Sequence, residues 1–556
     1  MRRSAPFVVL SLLLVIPTVA WCQPQGPKAG PEFQVNTYTT SSQYSDAIGV
    51  SADGSFTILW DSLGQDGSDW GIFGRRFDSL GIPLDASDFQ VNTYTTGLQI
   101  YGSLAVAPSG DFIVAWSGYG PGGHRALFAR RFDSSGMPLD PEEFQINADT
   151  SHQVDYPSVA VSETGSFIVV WQVFVAGGPG VAGRRFDSAG DPLDPVEFQI
   201  ASPSGGDYAQ DPTVGASTSG DFVVAWKAYD YSYNGAHVLA RRYDSSGNAL
   251  DAAPIQVDTP AAPYPERHAV AVAPSGQFVV AWSSNETASN GDYYEAAFAR
   301  RYDSSGAPLD AAPIRVSPGA ANSIWGPFVS INSAGDFVTT WGSDYSTENG
   351  DFQILGRRFT SEGVAVDPEP FQVNTYTTGY QLGGQVALAD SGNFTVVWGS
   401  DGQDGDGYGV FAQRFSCSDL DGDGICDGED IVVNEPADGS ALDCPARGTT
   451  GPVPVVAWSP GNYDRFRVTI SGDPDFTPGS LVRSSAVLQT ATSWTPRQGQ
   501  WRHACRRLGP DLYIRVYGED TDLSSSDPRY STFSNVVHVT TTTVMKLPLR
   551  EGLGGK

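Results

Sequence analysis

Seven tryptophans recur at a nearly fixed interval, Trp60, Trp116, Trp171, Trp226, Trp282, Trp341 and Trp398, with roughly 55 to 59 residues between successive copies. The surrounding text recurs with them: an FQVN-like segment, a VAV-like segment, Gly-x-Phe-(Val/Ile)-Val-x-Trp, then (Ala/Gly)-Arg-Arg-(Phe/Tyr)-Asp-Ser followed by Gly-x-Pro-Leu. A period of this length marks a chain built from copies of one supersecondary unit, none of which buries its apolar face without its neighbours. Each unit offers four short stretches rich in Val, Ile and Phe, separated by Gly, Asp and Ser turn signals, and helical periodicity is almost absent. In the second unit the expected strands are 89–92, 103–107, 111–116 and 127–133, with the tryptophan closing the third of these.

Four-stranded units in sevenfold repetition suit a closed ring, which leaves only short protected sheet edges. The expected fold class is therefore all-β, a seven-bladed β-propeller over residues 31–416. An orphan FQVN segment at Phe33 to Asn36 precedes the first complete unit, and the last unit stops at Phe415 without one. The N-terminal strand is thus expected to complete the seventh blade. Within Ile72 to Asp78, alternation puts Phe73, Arg75 and Phe77 on one face and Arg76 and Asp78 on the other. The repeated arginines are read as packing along their stems and pairing with turn aspartates, and the tryptophans as core.

Two of the connections in each unit are short and constant, and two are long and variable; the long ones should share one rim. They carry the candidate ligand-binding residues Trp70, Tyr119, Tyr229, Tyr231, Tyr293, Trp325, Tyr345 and Tyr408, with Tyr233 and Tyr294 nearby. Aromatic rings interleaved with Asp, Asn and Gly suit an extracellular carbohydrate or protein. No Gly-x-Ser-x-Gly, His-Glu-x-x-His or Walker-type loop is present, so no catalytic residue is assigned. The alternative is a secreted polysaccharide hydrolase or lyase with carboxylates at the propeller axis, about 5 to 10 Å apart.

Residues 1–22 have the layout of a signal peptide: Arg2-Arg3, an apolar run from Phe7 to Ala20, then polar Gln23, with cleavage expected between Ala20 and Gln23. No later stretch is long enough to span a bilayer. The expected location is outside the cytoplasm: extracellular, periplasmic or cell-surface. With 63 acidic against 33 basic residues the formal net charge is −30, which argues against nucleic acid as a partner. Much of that acidity is accounted for by Asp-Gly and Asp-Ser turns.

Residues 417–433 change character. Asp419, Asp421, Asp423, the Ile425 carbonyl, Asp427 and Asp430 reproduce the ligand order of an EF-hand-type loop, with Gly424 at the sixth position, so structural calcium is the expected cofactor. Cys417, Cys426, Cys444 and Cys505 make an even set for an oxidising compartment, and two disulfides are expected. Residues 434–540 alternate as a β-sandwich with Trp458 in its core, and 541–556 form a loose tail.

Four resemblances accompany these readings. The FQVNTYTT, FVVAW and ARRFDSSG units resemble bacterial secreted repeat proteins, which implies the propeller and carries little about activity; Phe371 to Thr378 and Trp398 to Phe415 show it best. The segment from Ser51 to Trp60 is loosely similar to a hairpin of sialidase-like propellers. The Asp-rich loop resembles thrombospondin type 3 repeats, which implies a Cys417–Cys426 bridge around the ion. The last unit resembles a fibronectin type III or immunoglobulin-like domain, with Cys444 and Cys505 available to staple it.

Overall fold

The computed structural model describes residues 28–203, 207–230, 236–258, 265–287, 293–318, 323–344, 351–416, and the strands that lie between 432 and 541. Seven four-stranded antiparallel sheets follow one another along the chain. Blade 1 runs outward from the axis through Gln43–Val50, Phe56–Leu63, Trp70–Phe77 and Phe89–Gln90. The inner strands of blades 2 to 7 are Gln99–Val106, Gln153–Val161, Asp207–Ala216, Pro265–Val272, Ile324–Ile331 and Gln381–Leu388. The outermost strand of blade 7 is the N-terminal Phe33–Gln34, paired with Tyr408–Phe415 through Phe33↔Ala412 and Gln34↔Phe411. The ring is a seven-bladed β-propeller closed by its own beginning.

All seven tryptophans are fully buried, between 0% and 2% exposed, and they pack between blades. Trp171 lies against Ala105, Ile113 and Leu127 of the preceding blade, and Trp60 lies against Val397, Val410 and Ala412 across the closure. Each tryptophan sits mid-strand, not at the strand end expected from sequence: Phe56–Leu63 continues three residues past Trp60. The outer strand is also shorter than the FQVN motif. Val91 N donates to the Ile72 carbonyl, and then the Asn92 Oδ1 takes the place of the next backbone carbonyl by accepting from Ile72 N at 2.8 Å. Its Nδ2 donates to Gln99 Oε1 and the Tyr94 carbonyl, which fixes the passage into the next blade. The motif encodes a strand whose ladder is finished by a side chain.

The recurring arginines are clamps between blades. Arg75 donates to the Val35 carbonyl on the outer strand of the preceding blade, as Arg130 does to Val91 and Arg184 to Ile146. Arg76 forms a two-pronged pair with Asp85 and also donates to the Ser134 carbonyl in the next blade, at 2.7 Å. The ion pair recurs at 2.5–2.7 Å in Arg131–Asp140, Arg185–Asp194, Arg242–Asp251, Arg301–Asp310 and Arg358–Asp367. Blade 7 completes the circle, with Arg414 donating to the Ser79 carbonyl of blade 1. The partner acid is nine residues further on, not the turn aspartate expected. That turn residue, Asp78, accepts instead from Leu80 N and Ile82 N of its own loop. Gly136 has two reasons to be glycine: φ is 81°, and a Cβ there would stand 2.6 Å from Arg76 Nε of the preceding blade.

Beyond the ring, Val432–Glu435, Val456–Ser459 and Ser493–Trp494 pair in one sheet, and Arg465–Ser471 and Asp511–Glu519 pair at the centre of another. The expected calcium ligands, the four cysteines and the Trp458 side chain lie outside the described residues, as do residues 1–22. Among the described residues no helix is long and apolar enough to cross a membrane.

Candidate functional site

Antiparallel order puts the long connections at one end of the ring, where the inner strands begin: Leu63 N donates to the Ser42 carbonyl while Leu63 also faces Trp70 across the sheet. At this end every inner strand breaks register with its neighbour. The irregularities fall between Ser45/Ala47, Ile100/Ser103, Asp155/Ser158, Gln210/Thr213, Pro265/His268, Trp325/Phe328 and Gly383/Gln385. A bulge bends its strand and turns a side chain out of the alternation. The inner strands line the axial channel, so what the bulges expose lines its mouth. In blade order those residues are Ser45, Tyr101, Tyr156, Asp211, Arg267, Gly326 and Gly383.

At five of these seven positions the backbone is left-handed, while the side chain varies from blade to blade. Tyr101, Tyr156 and Asp211 have φ of 60°, 54° and 53°, while Gly326 and Gly383 take 107° and 93° at the matching positions. Non-glycine residues in the left-handed region cost on the order of 1–3 kcal/mol and persist where surrounding structure holds them. Here the preceding blade supplies the hold from the residue just after its tryptophan. Asp61 Oδ2 accepts from Tyr101 N at 3.0 Å, and Gln172 Oε1 accepts from Asp211 N at 3.1 Å.

These side chains form a continuous arc. The Tyr101 and Tyr156 rings lie 4.5 Å apart, both well exposed at 38% and 39%. The hydrogen bond between their hydroxyls, followed by burial, raises the Tyr156 pKa. Arg125 stands 5.9 Å from the Tyr101 ring and pairs with Asp155 at 2.6 Å, while Ser117 Oγ donates to the same carboxylate. Asp211 approaches Lys227 at 3.9 Å. The Arg267 guanidinium lies 3.6 Å above the Trp325 ring. Donors, acceptors and aromatic faces thus alternate from blade 2 to blade 6.

Beside the arc, blade 1 holds two carboxyls against each other. Asp46 is half-buried as a residue, but its Oδ2 is shut off from solvent; Asp61 is buried, and its Oδ1 is likewise enclosed. Neither oxygen has a donor among the neighbouring groups, because they face one another and need one proton between them. Burial, then the Asp61 charge, raises the Asp46 pKa well above the ordinary range, and burial pushes Asp61 to about 6. Hydrogen-bonded carboxyls stand closer than the 5 to 10 Å separation that glycoside hydrolysis uses.

The aromatic residues picked from sequence fall in several places. Trp70 and Tyr408 meet around Tyr44, with ring separations of 5.5 and 5.0 Å, at the junction of blades 7 and 1. Tyr229 packs edge-on against Tyr208 at 5.3 Å. Tyr119 ends its strand exposed beside Gly97. Trp325 belongs to an inner strand, not to a long loop. Tyr231, Tyr233 and Tyr345, and the side chain of Tyr293, lie outside the described residues. Tyr101, Tyr156, Asp211 and Arg267 were missed from sequence. They fall on the variable pair of residues just before each VAV-like segment. No group of three or more metal-ligating side chains occurs among the described residues.

At the opposite mouth the inner strands end in a recurring apolar residue, with Pro108, Glu163, Thr218 and Asp390 among the turn residues around it. A cavity of about 320 Å³ there is lined by Val50, Val106, Val161, Val272, Ile331 and Leu388, with related apolar residues from one blade to the next.

No known protein family matches the chain, and no curated protein does. Among solved structures it is similar to a protein of unknown function from Dyadobacter fermentans, at 14% identity, covering 58% of this chain and 96% of that one, with a TM-score of 0.39. It is also similar to an α-L-arabinofuranosidase from Fusarium graminearum at 11% identity, 58% and 93% coverage and a TM-score of 0.38. A polysaccharide lyase matches at 11% identity, 71% and 94% coverage and a TM-score of 0.40. At identities and TM-scores this low, the likeness carries nothing about chemistry.

Proposed function

We propose that this chain is a secreted or cell-surface binding protein that takes an extracellular carbohydrate at the axial mouth. The supporting observation is the run of three strained, exposed residues, Tyr101, Tyr156 and Asp211, on consecutive inner strands where the repeat otherwise varies freely. Strain held in place by neighbouring blades is cost without structural return unless the side chains are used. Paired tyrosines beside Arg125, Asp211 and Lys227 offer ring faces for the apolar side of a sugar and both hydrogen-bonding polarities for its hydroxyls. A glycan array with the mature protein tests this: Tyr101→Ala with Tyr156→Ala should abolish the signal with only a small fall in melting temperature. Retained binding would end the assignment to this mouth.

A hydrolase or lyase is the second reading, and it draws on the Asp46–Asp61 pair, whose shared proton near neutral pH is that of a general acid. Enclosure of the facing oxygens favours binding over catalysis. Product analysis on glycans captured by the array separates the two. In the same proposal, the loop from Asp419 to Asp430 holds calcium and stiffens the link to a fibronectin type III-like spacer. Chelation should lower the melting temperature of the C-terminal unit and leave the ring unchanged, as followed by two-transition calorimetry. Absence of calorimetric heat on adding calcium to the oxidised protein would remove the site.

A further inference from the structure

We propose that the sugar taken at this mouth carries a carboxylate, and that Arg267 is the group that receives it. This rests on the carbohydrate-binding reading above and adds the chemical class of the ligand.

The starting observation is how this chain spends its arginines. The paired arginines of the blades give their donors to Asp side chains and backbone carbonyls, Arg125 pairs with Asp155, and Arg315 pairs with Glu286 at 2.6 Å. Arg267 is the one described arginine that makes no hydrogen bond and no ion pair; its only close partner is the face of Trp325, at 3.6 Å. It sits at the bulge position of blade 5, exposed to solvent, yet with enough protein around it that burial pulls its pKa down. A guanidinium lying flat on an indole keeps its plane and loses none of its N–H donors, so the fork enters the mouth already oriented. Its geometry matches a carboxylate taken by two parallel hydrogen bonds.

The surroundings set how much negative charge is welcome. Asp211, Glu295 and Glu266 all act on Arg267 through space, and none is within bonding reach. Asp211 leans toward Lys227, and Glu295 accepts from Ile324 N, the residue just before Trp325. Asp211 and Glu295 are thus engaged elsewhere, Glu266 is exposed to solvent, and the field the three leave is not positive overall. Together with a net charge of −30, this favours a single carboxylate on an otherwise neutral sugar and disfavours densely charged polyanions. The next two bulge positions, Gly326 and Gly383, carry no side chain that could compete for the guanidinium.

The test uses the full mature chain and a panel of uronic-acid oligosaccharides, each with its methyl ester and its neutral counterpart, read by isothermal titration. The acids should bind at least tenfold more tightly than their esters. Arg267→Gln should erase that difference, bringing the acids down to the affinity of their esters, and keep the melting temperature. Equal binding of acid and ester, or an acid preference that survives Arg267→Gln, overturns the proposal. If neutral sugars bind and the Tyr101 and Tyr156 substitutions abolish it, with no preference for acids, the carbohydrate site stands and the carboxylate falls. If no member of the panel binds, both fall together.

Discussion

The two ends of the ring are built from the same repeats and obey different rules. At the end carrying the short turns, blades 1 to 5 repeat the same residues in the same contacts: a positive-φ glycine, an Asp that closes its own turn, and an arginine reaching from the preceding blade. At the other end the backbone irregularity is repeated, while the residues on it run through Ser, Tyr, Tyr, Asp, Arg, Gly and Gly. Repetition of side chains marks a structural duty shared between blades. Repetition of backbone with divergent side chains marks a scaffold presenting something particular. Substitutions at the first end should cost stability and spare binding, and those at the second the reverse.

The largest effect is expected at the clamps. Asp310→Ala leaves Arg301, whose side chain is 9% exposed, with an enclosed charge and only the Ser361 carbonyl to hold. Removing one partner of a buried pair costs about 3–5 kcal/mol. Urea denaturation should show a loss of that size, while glycan binding by the folded fraction stays within twofold. A stability change below about 1 kcal/mol would mean that the clamps are decoration on a ring already held by its tryptophans.

Next comes the acid pair, where the mouth pays a stability cost of its own. The folded pKa of Asp61 is about 6, and that of Asp46 is also raised well above the ordinary carboxyl value of 3.8. Between roughly pH 4 and 6 the folded chain therefore holds more protons than the unfolded one. Stability contributed by those protons is present at low pH and falls as pH rises through the folded pKa values. Asp46→Asn puts a permanent donor against Asp61 Oδ1 and removes the need for the proton. It should raise stability by on the order of 1–3 kcal/mol at pH 8, with little change at pH 4.5, and flatten the profile between them. A loss at pH 8 would show that the pair is stabilising and does not belong with the strained mouth.

The ring was legible because its determinants are periodic. The tryptophan spacing, the turn glycines and the orphan segment at Phe33 recur or conspicuously fail to recur, and closure through Phe33↔Ala412 follows from counting strands. The bulges were not legible. A one-residue register break in Gln99–Val106 or Gln153–Val161 has no residue signature, and a Tyr in a strand reads as an ordinary β-former until its φ is known. From sequence alone, the aromatics of the long loops therefore stand out. They include Trp70 and Tyr408 but not Tyr44, the ring that joins them. The Arg–Asp pairs were half legible, since the arginines stood out while their partner lay nine residues away, beyond the turn.

The smallest stability change is expected where the functional change is large. In Tyr156→Gly, relief of a left-handed backbone at φ 54° gains about 1 kcal/mol. Against this, glycine loses about 0.5–1 kcal/mol through the freedom of the unfolded chain, and the lost contact with Tyr101 costs about 0.5–1.5 kcal/mol. These contributions largely offset one another, so the free energy of unfolding should fall by no more than about 1.5 kcal/mol. Ligand affinity, measured by titration with a glycan found on the array, should fall at least tenfold, because the missing ring is half of the exposed tyrosine pair. Tyr156→Phe separates the contributions: it keeps the ring and the strain and removes the hydroxyl hydrogen-bonded to Tyr101. Affinity retained in the Phe variant and lost in the Gly variant would assign the contact to the ring face. Affinity retained in both would show that the strained backbone, and not the side chain it carries, is what the mouth preserves.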